Sequence, residues 1–299
     1  MSSGELSSGE LSSGELSSVD ADLSVQRYRG AFARLYRGEM RLLLRRRRNM
    51  ILLAVLAVVP IVIGIAVKVS DPRGGDGPQF IGRVTGNGLF LVFTSLTVSI
   101  PFFLPLVIGV IAGDSIAGEA GQGTLRYLLT VPVPRARLLA MKTAAVASFT
   151  GLAVLVVSVV GLIAGAALFG LHSLVLLSGD TVGLGDGLLR TLGIVAYVTI
   201  ALFALAAGGL LISTLTENAI AAMAATISIA VFSALLDAVP QLSAIHPGLL
   251  TDHWLGFGEL LRSSISVADL SRWTALHLAY AAIFLSIAFS RITTKDVTS

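Results

Sequence analysis

The chain alternates between long apolar runs and short polar segments. Six runs are long enough to cross a bilayer, which takes about 20 apolar residues in a helix. They are Met50–Val69, Leu89–Gly113, Thr143–Gly170, Leu188–Leu211, Asn218–Val239 and Trp273–Ser290. Pro101 and Pro105 interrupt the second run, and proline kinks or breaks a helix because it lacks a backbone donor. The pattern predicts an all-α integral membrane protein with six transmembrane helices.

Composition supports a membrane location. Of the 299 residues, 55% are hydrophobic and only 13% are charged, whereas an ordinary soluble domain carries about 25% charged residues. So few charges cannot cover the surface of a soluble protein of this length. The sequence contains no cysteine, which excludes disulfides, thiolate metal sites and cysteine nucleophiles.

The distribution of basic residues predicts the orientation. Six spans place both termini on the same side of the membrane. With a cytoplasmic N-terminus, 15 of the 21 basic residues lie in inner segments and the other six in outer segments. Lys and Arg concentrate on the cytoplasmic side of membrane proteins. We therefore expect a multi-pass protein of the cytoplasmic membrane with both termini inside the cell.

Two segments precede the first span. Residues 1–24 contain SSGEL three times in succession, a polar repeat that buries no apolar surface and is expected to be a disordered tail. Residues 25–48 place aromatic and leucine side chains on one helix face and arginines on the other, at about 100° per residue. The arginines of this face include Arg34, Arg37, Arg41 and Arg45.

We expect residues 25–48 to form an interfacial helix whose arginines contact membrane lipid. An arginine-rich helix can instead bind nucleic acid. The first span begins at Met50 with no linker, so the nearest phosphates are those of anionic lipid, and we expect no nucleic-acid partner. The six spans then form one domain over residues 49–291, followed by a cytoplasmic tail at 292–299.

The sequence offers little catalytic chemistry, because it contains no P-loop, HExxH or GxSxG motif. His246 and His253 share an outer segment with Asp252 and form at most a weak metal site, so we expect no metal or cofactor on this chain. His277 lies inside the sixth span, where an imidazole is more often an interhelical hydrogen-bond partner than a catalyst. An intramembrane enzyme would need a nucleophile and a base, and the one pairing to consider is Ser158 with His277.

The third and fourth spans lack the interior charges that ion pumps place at mid-membrane. A bundle with neither an ion relay nor an ATP-binding motif is expected to take its energy from a partner. Weakly polar side chains on the second and fourth spans are candidates for a substrate path that suits an amphipathic or lipid-like molecule. They are Thr94, Ser95, Thr97, Tyr197 and Thr199. The same hydroxyls are equally explained as interhelical hydrogen-bond donors.

The segment between the second and third spans has a pattern of its own. Residues 114–142 read DSIAGEAGQGTLRYLLTVPVPRARLLAMK. Asp114 is expected to close the second span at the membrane surface. A short helix, TLRYLL, then begins at Thr124, whose hydroxyl can cap it, and ends at Pro132. This helix presents an apolar patch with a charged rim, which favours docking of a soluble protein. The candidate docking residues are Asp114, Glu119, Gly123, Thr124, Leu125, Arg126, Tyr127, Leu128, Pro132 and Arg135.

This segment resembles the cytoplasmic loop of ABC-2-type transporter permeases. That loop runs Asp, Glu, Gly-Thr-Leu, two or three leucines, Pro, Arg and Lys ahead of the third span. The matching residues are Asp114, Glu119, Gly123, Thr124, Leu125, Leu128, Leu129, Pro132, Arg135 and Lys142. The number of spans, the amphipathic helix before the first span and the short turn at 213–217 agree with the family. Gln122 and the SSGEL repeat depart from it.

The resemblance implies a complex of two permease chains with two separately encoded ATP-binding subunits. The loop helix, residues 119–129, would be a coupling helix docked into an ATPase, and residues 25–48 a connecting helix that also touches it. ATP and Mg²⁺ would bind the ATPase, so this chain would hydrolyse nothing itself and would export its substrate. Two other functional classes remain to be weighed. One is an intramembrane protease or lipid transferase, and the other is an accessory membrane protein without transport activity.

Overall fold

Helices account for most of the chain in a computed structural model that describes residues 32–70, 87–121, 134–176 and 178–294. They are α1 (32–45), α2 (Arg47–Val69), α3 (Leu89–Ser99), α4 (Phe103–Gly121), α5 (Arg135–Phe169), α6 (Leu184–Leu215), α7 (Ala219–Asp237) and α8 (Val267–Thr294). A small antiparallel hairpin, β1 (Leu174–Val175) and β2 (Thr181–Val182), joins α5 to α6. Between α7 and α8 lie 3₁₀ turns at Pro240–Leu242, His246–Gly248 and Gly256–Leu261.

Within the described residues, six helices are long and apolar enough to cross a membrane, namely α2, α4, α5, α6, α7 and α8. Each of them overlaps one of the six predicted spans. The prediction of an all-α membrane protein with six spans is therefore confirmed. The β1–β2 hairpin, with two residues in each strand, is the feature that hydropathy did not indicate.

The predicted interruption of the second span is also confirmed. α3 ends at Ser99 and α4 begins at Phe103, with Pro101 in the break between them. Pro105 lies in the first turn of α4, where the missing backbone donor is tolerated. The second span is therefore two consecutive helices.

α6 lies at the centre of the bundle and contacts α4, α5, α7 and α8, while α2 and α3 pack against α5. Small residues on α6, such as Ala204 and Gly209, are buried and allow neighbouring helices to approach closely. Large apolar side chains on the outer helices face away from the bundle; Val58 and Val62 of α2 are each more than half exposed. This inside-out distribution suits a bundle surrounded by lipid.

The bundle has two distinct ends. We call the end formed by residues 32–48, 114–121, 135–142 and 213–219 the charged end. The opposite end, which we call the distal end, contains the β1–β2 hairpin and residues 240–266. There Gly88 donates a backbone hydrogen bond of 2.9 Å to the carbonyl of Gly170, which fixes the start of α3 beside the end of α5.

Residues 240–266 pack over the distal ends of α6 and α8. The Arg190 guanidinium of α6 donates to the carbonyls of Leu260 (2.7 Å) and Arg262 (2.8 Å). Apolar and polar residues are mixed over residues 253–265, as a short amphipathic helix would have them. The structure has a 3₁₀ turn at Gly256–Leu261 instead, with Phe257 and Leu261 buried.

Several helices extend beyond the predicted spans. α5 begins at Arg135 rather than Thr143 and contains 35 residues, which at 1.5 Å per residue is roughly 50 Å. The hydrocarbon core is only about 30 Å thick. α8 likewise runs to Thr294, into the predicted tail. Hydropathy reports the part of a helix inside lipid, whereas the backbone continues helical beyond it.

The amphipathic helix before the first span ends three residues earlier than predicted. α1 ends at residue 45, Arg46 is extended (φ −66°, ψ 119°), and α2 starts at Arg47. The buried Asn49 side chain stabilises this corner by donating to the Leu43 carbonyl at 2.8 Å. The predicted lipid-facing arginines Arg34, Arg37, Arg41 and Arg45 are exposed. The predicted tail at 1–24 and residues 25–31 lie outside the described residues.

Candidate functional site at the charged end

Asp114 does not close the second span at a surface, as the sequence suggested. α4 continues to Gly121 and Asp114 is only 8% exposed. Because α5 begins at Arg135, the segment between the helices is also much shorter than the expected 114–142 loop. Most of the predicted docking residues lie outside the described part of the chain, namely Gly123, Thr124, Leu125, Arg126, Tyr127, Leu128 and Pro132.

The Asp114 carboxylate joins α4 to the start of α2. Its Oδ2 accepts hydrogen bonds from Arg46 Nη1 at 2.6 Å and from Arg48 Nη2 at 2.5 Å. The carboxylate side chain is 10% exposed, whereas the two arginine side chains are 38% and 43% exposed. The two guanidinium groups therefore cover a carboxylate that would otherwise be buried without a counter-charge.

Lys142 makes the second charged contact, between α5, α4 and α1. Its ammonium donates to Glu39 Oε1 at 2.8 Å and to Glu119 Oε1 at 2.5 Å. The Lys142 side chain is 2% exposed, and a buried ammonium is tolerated only when it is paired and hydrogen-bonded. We call Glu39, Arg46, Arg48, Asp114, Glu119 and Lys142 the charge cluster. It connects α1, α2, α4 and α5, of which α4 and α5 flank residues 122–133.

Arg135 and α6 complete the surroundings of the charge cluster. Arg135 opens α5 and donates to the Ile292 carbonyl of α8 at 3.3 Å. A cavity of about 100 Å³ lies between the charged ends of α4, α5, α6 and α8, with Leu138, Leu139 and Thr214 among its lining residues. The Ser213 hydroxyl of α6 is bonded to the backbone of α4.

Two histidines in residues 240–266 pair with different carboxylates. His253 Nε2 lies 3.0 Å from Asp252 Oδ2, and His246 Nδ1 lies 3.9 Å from Asp237 Oδ1. Burial raises the pKa of Asp252 above its ordinary value, although the adjacent His253 opposes the shift. His253 has a left-handed backbone (φ 61°) and stacks on Trp273. Across the described ranges, no group of three or more potential metal ligands forms.

The expected interhelical hydrogen bond of His277 is wrong for the described part of the chain. The side chain is fully buried, and neither ring nitrogen has a hydrogen-bond partner there. The ring instead packs edge-on against Tyr197, with the ring centres 6.3 Å apart. Ser158 donates to the Val154 carbonyl of its own helix. The serine–histidine pair that an intramembrane enzyme would need is therefore not formed.

The candidate substrate-path residues stay a prediction. Thr94, Thr97 and Thr199 donate to carbonyls one turn back in their own helices. Ser95 is fully buried on α3. Tyr197 donates to the His253 carbonyl at 2.5 Å and so belongs to the distal end.

Sequence reasoning missed the partners in the charge cluster. The sequence predicts that the arginines of residues 25–48 contact lipid and assigns no role to Glu39, yet Arg46 and Arg48 pair with Asp114 and Glu39 pairs with Lys142. The sequence does contain a signal for these pairs, because charged residues that flank two apolar runs on the same side of the membrane lie at similar depths. The arginines before α2 and the aspartate after the apolar part of α4 could therefore have been suggested as an ion pair.

Comparison with known proteins identifies the family. A family model described as ABC-2 family transporter protein matches residues 43–233. No curated protein sequence matches the chain. The matched range covers well over half of the 299 residues and includes Arg46, Asp114, Glu119 and Lys142. The chain thus belongs to the ABC-2 transporter family and is a multi-pass membrane permease.

Proposed function

We propose that this permease is the membrane subunit of an ATP-driven exporter, and that a separately encoded ATP-binding subunit docks at its charged end. Family membership supports a transport role and an ATPase partner in general. The observation that carries the docking site is the buried Lys142 between Glu39 and Glu119. It links both helices that flank residues 122–133 and the amphipathic helix α1.

The ion pairs of the charge cluster would transmit a displacement of residues 122–133 to the helices that they join. Separating Lys142 from both carboxylates would leave a buried ammonium without a counter-charge, which costs about 3–5 kcal/mol, and losing either contact costs part of this. The ends of α4 and α5 therefore move together with α1 rather than apart. A partner that displaces the segment between them displaces all three helices.

Orientation follows from charge. Within the described residues, the charged end carries 10 of the 15 lysines and arginines, and the positive-inside rule supports a cytoplasmic position for it, where ATP is available. The exposed arginines of α1, Arg34, Arg37, Arg41 and Arg45, are suited to the anionic cytoplasmic leaflet.

The rest of the assignment rests on the family. Two permease chains pair with two ATPases, and ATP and Mg²⁺ bind the ATPases, so this chain carries no cofactor of its own. The substrate is exported. An amphipathic or lipid-like substrate is supported by the apolar bundle and by the weakly polar Thr94, Ser95, Thr97, Tyr197 and Thr199.

Co-purification of the full-length chain with the ATPase tests docking. We expect Glu119→Arg, or replacement of TLRYLL by a Gly/Ser linker, to weaken binding by at least about tenfold, since a lost charged or apolar anchor typically costs more than 1.4 kcal/mol. Glu259→Arg is the matched control, because Glu259 is a similarly covered glutamate at the distal end.

The two docking variants distinguish a loss of folding from a loss of contact with the ATPase. Glu119→Arg also disturbs Lys142, so its monodispersity must be checked, whereas the linker lies outside the charge cluster. If both variants still bind the ATPase and still stimulate ATP hydrolysis, the docking assignment is wrong. Loss of binding in the Glu259→Arg control would also contradict it.

A further inference from the structure

Ser213, near the end of α6, bonds directly to the backbone of α4. Its hydroxyl donates to the Gly113 carbonyl at 2.8 Å and accepts from the amides of Ile116 (2.9 Å) and Ala117 (2.8 Å). A serine hydroxyl has one donor and two acceptor sites. All three are therefore used on the neighbouring helix, and the side chain is 1% exposed.

These three bonds fall at a specific place in α4. In a regular helix the Ala117 amide bonds to the carbonyl of Gly113, four residues earlier. The Ser213 hydroxyl binds both of these groups, and a side chain inserted in this way is a recognised cause of helix bending. The insertion lies between Asp114, which contacts Arg46 and Arg48, and Glu119, which contacts Lys142.

Close contacts at glycines hold the same part of α4 against α6, α7 and the turn between them, which we call the α6–α7 hairpin. A Cβ on Gly113 would lie 2.6 Å from the Met223 amide nitrogen of α7, and a Cβ on Gly121 would lie 2.7 Å from the Glu217 carbonyl oxygen. The turn of the α6–α7 hairpin is well defined, because the Asn218 side chain caps α7 by accepting hydrogen bonds from the amides of Ile220 and Ala221. Residues 114–121 and the hairpin thus pack backbone to backbone.

We propose that Ser213 is a positioning residue that makes residues 114–121 and the α6–α7 hairpin one rigid unit. A displacement of α4 by the ATPase then reaches α7 both through the direct packing of α4 on α7 and through α6, which the Ser213 hydroxyl holds to α4. The inference rests on the proposed function, because the displacement originates at the docked ATPase. It adds the path by which the displacement reaches the distal end.

The chain offers matched variants. Ser213→Ala removes all three bonds to α4, and Ser213→Thr keeps the hydroxyl. Thr214→Ala is the control, since Thr214 is the next residue and, among the described residues, its hydroxyl donates within α6 to the Leu211 carbonyl at 2.7 Å. The absence of cysteine from the sequence allows labels to be attached at chosen positions without background.

Distance measurements between spin labels test the proposal. Val69→Cys at the distal end of α2 and Phe232→Cys near the distal end of α7 place the labels at sites that are 78% and 66% exposed. The reconstituted complex with the ATPase is measured without nucleotide and with ATP trapped. We expect the distance to shift on trapping in the parent, Ser213→Thr and Thr214→Ala proteins. In Ser213→Ala we expect a smaller shift than in the other three proteins, while ATPase binding is unchanged.

The outcomes distinguish the two proposals. A parent-like shift in Ser213→Ala overturns the role of Ser213 alone. An ATPase that does not bind the parent overturns the proposed function, and the role of Ser213 with it. If Ser213→Ala does not fold, spin labels attached at Met50→Cys and Ile220→Cys in the protein that retains Ser213 still test the proposal. The proposal requires the charged end of α7 to shift on trapping, and an unchanged distance overturns it.

Discussion

Replacing Lys142 by methionine should lower the free energy of unfolding by about 3–5 kcal/mol, the usual cost of removing one partner from a buried ion pair. Methionine preserves most of the side-chain volume, so the loss reports charge rather than packing. The substitution leaves Glu39 and Glu119, 12% and 17% exposed, close together without the ammonium that neutralises them. Unfolding of the detergent-solubilised protein by heat or denaturant measures the effect.

Two comparisons make the Lys142 result specific. Lys68→Met changes an exposed lysine at the distal end of α2, and such surface changes usually stay within about 0.5 kcal/mol. Adding Glu39→Gln and Glu119→Gln to Lys142→Met should restore much of the lost stability, because replacing a whole buried ionic group is far cheaper than breaking it. Equal effects of Lys142→Met and Lys68→Met would show that the buried contact does not hold α1, α4 and α5 together.

A second large effect is expected at the distal end, where the start of α3 crosses α5. A Cβ on Gly165 would lie 2.8 Å from the Gly88 carbonyl carbon and 2.9 Å from the Gly88 Cα. Both atoms belong to the backbone and cannot rotate away, so Gly165→Ala must push the helices apart. Overpacking typically costs about 1–3 kcal/mol and sometimes more, and a clash with backbone belongs at the upper end. Thermal unfolding and the yield of monodisperse protein measure it.

Gly151→Ala is the control for Gly165→Ala, because both glycines lie in α5. Among the described residues outside the backbone of α5, a Cβ at Gly151 would meet the Thr199 methyl group at 3.5 Å, an ordinary contact. Alanine is favoured over glycine in a helix interior by up to about 1 kcal/mol, so this variant should be neutral or more stable. If the two variants behave alike, α3 and α5 do not cross at these glycines.

The spans were predictable from sequence because hydropathy responds to the bilayer, but the ends of the helices were not. Asp114 and Lys142 look like the limits of a polar loop, yet both lie inside helices. Polar residues extend a helix beyond the apolar run when their charges find partners. Those partners lie far away in sequence, 103 residues for Glu39 and Lys142, so a local pattern does not reveal them.

The candidate site was predictable in part. The order of Asp114, Glu119, Arg135 and Lys142 around a Gly-Thr-Leu segment was sufficient to suggest the family. Ser213 carried no comparable signal, because a serine near the end of an apolar helix resembles many others. Its role depends on where α4 passes, and close packing of glycines at the crossing determines that position.

The central claim is that the ATP-binding subunit meets this permease at its charged end. Single cysteines can be placed at Ile220, 77% exposed at the start of α7, and at Leu255, 47% exposed at the distal end. The most direct test is cross-linking of each variant to the ATPase in the assembled complex. We expect a cross-linked product from Ile220→Cys and none from Leu255→Cys. A product from Leu255→Cys with none from Ile220→Cys would contradict it.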